Sequence, residues 1–257
     1  MAELLVWPVL IAYGEAAFAY AGELRSPGLS GRLAIWGVRI GWLAQTALLV
    51  VQALDSKGFP WGTWAGALNL FVWLVVGAYL IWGCIPRYRL LGLAVMPLAA
   101  ALLVAAWAGG GTGISSRDEP GGLLAVHAGL MLAAFAGITL AAGMAGLYLW
   151  EESRLKRRDA RVLRLRVPPL DTLDRLSART TFVSVALLSV GIIVGLAGFK
   201  RGDFDASMAV AFGIWILCVA GLVLRHEAGL RGRRFAGVLL SGFVLVAVVL
   251  PLTHFAS

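Results

Sequence analysis

Residues 151–179 read EESRLKRRDARVLRLRVPPLDTLDRLSAR, a polar break that holds nine of the chain's 22 Lys and Arg residues. On both sides of it, apolar stretches alternate with shorter polar breaks. Each stretch has about the twenty residues that an α-helix needs to cross the hydrocarbon core of a bilayer. The apolar runs are continuous rather than alternating, which excludes a membrane β-barrel. The fold class is all-α integral membrane protein, a bundle of about eight transmembrane helices. With 257 residues, 60% hydrophobic content and 14% charge, no room is left for a soluble domain. Residues 1–257 are expected to form a single transmembrane domain with a basic cytoplasmic loop at 151–179.

Working outward from that loop, spans are expected at 4–21, 33–51, 64–84, 90–108, 123–150, 180–199, 207–224 and 235–253. With the loop in the cytoplasm, alternation puts Arg25, Arg32, Arg87, Arg89, Arg225, Arg231, Arg233 and Arg234 on the same side, and Arg39 near it. Eighteen of the 22 basic residues are then cytoplasmic, and Lys57, Arg117, Lys200 and Arg201 remain outside among acids. The positive-inside rule accepts this distribution with eight spans and both termini outside. A multi-pass protein of a bacterial plasma (inner) membrane is the expected location. The net charge of +8 is read as this topogenic signal, touching the anionic lipid bilayer, and not as a nucleic-acid surface. The first apolar run starts at Leu4 with no basic residue before it, so no cleavable signal peptide is expected.

The outer breaks are short, and Trp7, Trp61, Trp64 and Trp107 fall near that boundary, where indoles anchor membrane helices. Inside the basic loop, Pro168-Pro169 ends whatever precedes it. Asp171 then suits an N-cap, with Leu173 and Leu176 opening an apolar stripe, so the sixth helix should project beyond the bilayer. Gln45, Gln52 and Asn69 suit hydrogen bonds between helices. Glu15, within the first span, reads either as a functional acid or as a side chain snorkelling to the interface. Cys84 and Cys218 form no CxxC pair, so thiol exchange or haem attachment through this chain is unsupported. The AGGGTG stretch lacks the ending of a phosphate loop. No nucleophile–base–acid set can be assembled.

The three histidines carry the remaining chemistry. His127 opens the fifth span and His254 ends the eighth, which places both at the outer face at similar depth. His226 lies at the opposite face. Two neutral imidazoles at one depth on different helices suit the axial ligation of haem iron. Zinc is less apt, because no further Cys, His or acid clearly converges with the pair. Two unrelated interfacial histidines would look the same in sequence.

HAGLMLAAFAG (127–137), LYLWEESRLKRR (147–158), LRVPPLDTLDRL (165–176) and the ending PLTHFAS together resemble the CcsA/HemX-type haem-handling membrane proteins of cytochrome c assembly. The resemblance covers the chain well from Leu123 onward and more loosely before it. It implies His127 and His254 as external axial ligands of haem b, with Arg117, Lys200 and Arg201 available to the propionates. The family's tryptophan-rich outer loop has shrunk here to FKRGDFDASMAVAFGIW, in which Asp205 and Trp215 stand as its remnant. Gln45 lies near the place of an early-helix histidine, and His226 lies slightly beyond the place of the second buried one. This pattern resembles the smaller HemX-like branch.

The function so implied is binding or presenting haem for cytochrome c assembly, rather than bond-making catalysis. Its partners would be haem, and a second membrane subunit or a cytoplasmic enzyme of haem synthesis. A HemX-like regulator of haem synthesis that acts through its basic loop without binding haem is the alternative reading. A small-molecule transporter is the third, although the broken helices and buried charges such a protein needs are missing.

Overall fold

The structure, a computed structural model, describes residues 2–23, 29–55, 61–83, 91–113, 122–158, 168–197 and 206–249. Among these residues every regular element is helical: α1 (Ala2–Glu23), α2 (Leu29–Asp55), α3 (Trp64–Gly83), α4 (Gly92–Ala108), α5 (Gly122–Lys156), α6 (Leu170–Ala197), α7 (Ala206–Glu227) and α8 (Arg233–Val244). A single π-helical turn, Leu245–Val249, continues α8. Six of the eight are long and apolar enough to cross a membrane; α4 is equally apolar but shorter. Large apolar side chains also line the outside: Leu4, Ile11 and Phe18 recur two turns apart on α1, and Phe18 is 83% exposed. Apolar surface facing outward along whole helices is what lipid, not water, tolerates. The chain is a multi-pass membrane protein.

Three helices, α2, α5 and α6, are clearly longer than the apolar runs that predicted them. The 35 residues of α5 extend about 50 Å, well beyond the roughly 30 Å core of a bilayer. Helix α6 begins at Leu170, ten residues ahead of its apolar run. Asp171 therefore sits in the first turn rather than at the cap. Pro169 offers its carbonyl to the N–H groups of Thr172 and Leu173 at 2.8 and 3.1 Å. Asp171 faces the positive end of the helix dipole there and pairs with Arg175 one turn on. Leu173 and Leu176 are buried, as the stripe predicted.

The helices form two compact units, residues 1–120 and 121–257. In the first, α1 packs on α2 and α4, and α3 closes the ring against α2 and α4. Its interior is polar along one line. The Tyr13 hydroxyl donates to Gln45 Oε1 (2.8 Å), and Gln45 Nε2 donates to Asn69 Oδ1 (2.9 Å). Asn69 Nδ2 then donates to Gln52 Oε1 (3.1 Å), and Gln52 Nε2 to the carbonyls of Gly111 and Gly113. Tyr13, Gln45, Asn69 and Gln52 are wholly buried. Each amide thus joins two helices or a helix and a turn, as expected from polar residues inside a membrane protein.

The second unit has the same cyclic order, with α5 against α6 and α8, and α7 against α6 and α8. The middle of α5, from Ala134 to Ala142, is buried on all sides, which its small residues permit. Hydroxyls in this unit mostly bond back to their own helix: Thr139 to the Phe135 carbonyl, Thr181 to Ser177 and Ser184 to Thr180.

Candidate functional site

His127 lies in the second turn of α5, half-buried between its own helix and α6. Its Nδ1 is 2.7 Å from the carbonyl oxygen of Gly191 on α6. One turn further along α6, Gly195 lies so close that a Cβ there would stand 2.7 Å from ring atoms Nδ1 and Cε1. Leu130 and Met131, on the next turn of α5, pack against Gly191 and keep the surroundings apolar. The imidazole therefore rests flush on a helix backbone.

The other predicted site residues are placed differently. Trp215, on α7, is half-buried and its indole N–H donates to Ser189 Oγ at 2.8 Å, tying α7 to α6. His254, Arg117, Lys200, Arg201 and Asp205 lie outside the described residues. His226 is 88% exposed at the end of α7. Its neighbour Arg225 grips Asp174, which stands on α6 roughly 25 Å along the helix axis from Gly191. His226 and His127 thus belong to opposite ends of the unit. Glu15 is exposed on α1, which favours snorkelling over an interior role.

Sequence reasoning missed the polar cluster at this far end. Arg225 makes a two-pronged pair with Asp174, Nη1 to Oδ1 at 3.0 Å and Nη2 to Oδ2 at 2.6 Å, with both side chains largely buried. The Gly232 N–H donates to Asp174 Oδ1 at 2.9 Å, and the Arg225 guanidinium lies 4.8 Å over the Phe235 ring. Gly232 has φ 63°, a left-handed conformation that suits glycine, and this turn aims its N–H back at α6. Three helices are thereby clamped at one point. Glu151, on α5, is buried too, and its Oε2 has no hydrogen-bond partner among the described residues. The motif LDTLDRL contains Asp174, but nothing in its spacing distinguishes that acid from the exposed Asp171.

Two rings of apolar helices, the second with a histidine seated on backbone near one end and an ion-pair clamp at its other end, define an all-helical multi-pass membrane protein. Residues 61–255 match a family model described as cytochrome C assembly protein. The chain belongs to that family. It is 26% identical to Protein HemX of Brevibacillus brevis over 190 residues, 73% of this chain and 70% of that one. It is 29% identical to the inner membrane protein YpjD of Escherichia coli (strain K12) over 148 residues, 56% of this chain and 54% of the other. An uncharacterised 28.8 kDa protein of Azospirillum brasilense is 25% identical over 146 residues. The chain thus spans about half the length of the latter two. No solved structure matches. Membership makes this a haem-related membrane protein.

Proposed function

We propose that this chain binds haem b and presents it at the outer face of a bacterial plasma membrane for cytochrome c assembly, with His127 and His254 as axial ligands. The observation that carries the reading is the antiparallel register of α5 and α8. Ala141 and Ala145 share one core cluster with Phe235, Ala236 and Leu239, and further along, Ile138 faces Gly242. His127 and His254 lie nearly equal numbers of residues beyond that last contact, in antiparallel directions. An antiparallel pair that kept this register as far as His254, which lies outside the described residues, would bring both to one level, and this supports the reading. The family match spans both positions as well.

The residues suit the group. His127 offers an imidazole in apolar surroundings, and the sequence supplies Arg117, Lys200 and Arg201 as charge-assisted donors for propionates. The resemblance in sequence lays Asp205 and Trp215 on the family's tryptophan-rich motif, with Trp215 carried by α7. The thioether chemistry would belong to haem and to the thiols of a partner, so this chain's side chains hold and orient. The partner would be a second membrane subunit or a cytoplasmic enzyme of haem synthesis.

Both termini outside, with 151–179 in the cytoplasm, is the topology we propose with it, supported by the eighteen-to-four division of Lys and Arg. Thiol labelling of intact cells should modify Ser115→Cys and spare Ser153→Cys; the reverse result inverts the topology. For haem, the purified full-length protein should show low-spin Soret and alpha bands after haem supplementation. His127→Ala and His254→Ala should each abolish them or shift them to high spin, and His226→Ala should leave them unchanged. Colourless protein, with no effect of either outer substitution, would instead favour the regulatory reading.

A further inference from the structure

We infer that Gly191 and Gly195 of α6 form a backbone seat that holds His127 with its hydrogen on Nδ1 and presents Nε2 as the donor nitrogen. The inference deepens the proposed function and rests on it for the role of Nε2 toward iron. The hydrogen on Nδ1 rests on geometry alone, and the bare Nε2 follows for the neutral ring.

A carbonyl oxygen accepts hydrogen bonds and never donates. At 2.7 Å from Gly191 O, Nδ1 must therefore carry the hydrogen. A neutral imidazole has one N–H, so Nε2 is left with a bare lone pair. The Gly191 carbonyl can serve both its own helix and His127 because it has two lone pairs. Metal-binding histidines are usually oriented in this manner, by a bond from the second ring nitrogen to a carbonyl or carboxylate. A main-chain carbonyl within a helix has the further advantage of being rigid and uncharged inside a membrane.

The two glycines contribute differently. Gly195 contributes an absence: any Cβ would stand 2.7 Å from Nδ1 and Cε1 and push the ring off the carbonyl. Gly191 contributes the carbonyl, which every residue has. A Cβ at Gly191 would meet the flexible end of Met131 at 3.1 Å and Leu130 Cβ at 3.4 Å, which asks for a small adjustment on α5. The pair therefore separates positioning from general helix packing, since both glycines line the same interface and an added Cβ would meet the ring at Gly195 but not at Gly191. Both are positioning residues, acting through His127.

The test uses full-length protein with 15N-labelled histidine, reconstituted in lipid nanodiscs without haem, and read by solid-state NMR. His127 is assigned by its disappearance in His127→Ala. A pyrrole-type Nδ1 and a pyridine-type Nε2 are expected; the opposite tautomer, or rapid exchange between the two, overturns the inference. Gly195→Ala should abolish this pattern, and Gly191→Ala should keep it. On titration with haem, Gly195→Ala should weaken binding about tenfold or more or mix high-spin with low-spin bands, with Gly191→Ala unchanged. Should Gly195→Ala fail to fold, the wild-type tautomer and Gly191→Ala still decide. Wild-type protein with Nδ1–H that takes up no haem would sink the ligand role and leave the seat standing. Low-spin haem bound equally well by Gly195→Ala would sink the seat and leave the ligand role standing.

Discussion

Each of the two units closes a ring of four helices, and they are held by different chemistry. In residues 1–120 the interior is spanned by uncharged amides and a tyrosine, whose bonds run from Tyr13 to the carbonyls of Gly111 and Gly113. Among the described residues of 121–257 the interior is apolar side chains, such as Ile138, Met144, Leu173 and Phe235, with hydroxyls that mostly bond their own helix. Polar links between these helices include the Trp215–Ser189 bond, His127 on Gly191, and the Asp174–Arg225–Gly232 clamp. The contrast follows from what apolar surroundings permit. A fully satisfied amide can sit deep in a bundle, whereas a carboxylate and a guanidinium are stable there only when paired and close to a wet end. The unit that carries the candidate ligand keeps its core apolar and puts its only described buried ion pair far from the histidine.

The largest effect should come from breaking that pair. Asp174→Ala strands the Arg225 guanidinium among Phe235 and the α8 turn, and should cost about 3 kcal/mol or more in thermal or denaturant unfolding of the detergent-solubilised protein. Lys156→Ala removes an equally short contact, to Glu152, but an exposed one, and should leave unfolding almost unchanged. Equal losses would erase the distinction between a clamp and a surface pair.

A smaller effect separates the two interiors. Gln45→Leu removes the hub of the first unit's ladder and leaves the Tyr13 hydroxyl and Asn69 Oδ1 without their partner, for a loss of about 1–2 kcal/mol in the same unfolding assay. Thr139→Val in the second unit deletes a hydroxyl that bonds only its own helix, and should change stability by less than about 0.5 kcal/mol. If Thr139→Val costs as much as Gln45→Leu, the hydroxyls join helices after all and the contrast falls.

Much of this was legible in the chain. Continuous apolar runs predicted where the eight described helices lie, because hydropathy reports the chain that lipid will accept, and six of those helices are long and apolar enough to cross a membrane. The ends of α5 and α6 were less legible. Beyond the bilayer hydropathy falls, yet helical bonding continues, in α5 as far as Lys156 and in α6 from Leu170, just after Pro168-Pro169. Gln45, Gln52 and Asn69 were recognisable as residues that join helices, but not which of them bonds which. Asp174 and Arg225 were two charges among many, since no rule of spacing reaches across 51 residues.

For the candidate site the division is similar. His127 stood out because histidine is scarce and this one opens a span. That its ring would rest on Gly191 and Gly195 depends on how α5 and α6 rotate against each other, which no single helix encodes. The sequence by itself determined the class of protein, the alternation of apolar helices and polar breaks, and the histidines to consider, since each follows from transfer energies and spacing along one chain. Tertiary structure alone decided the closing of each ring, the partner of every buried amide, the clamp at one end and the glycine seat at the other. Those depend on close contact between residues distant in sequence, where a single methyl group determines whether an imidazole can meet a carbonyl.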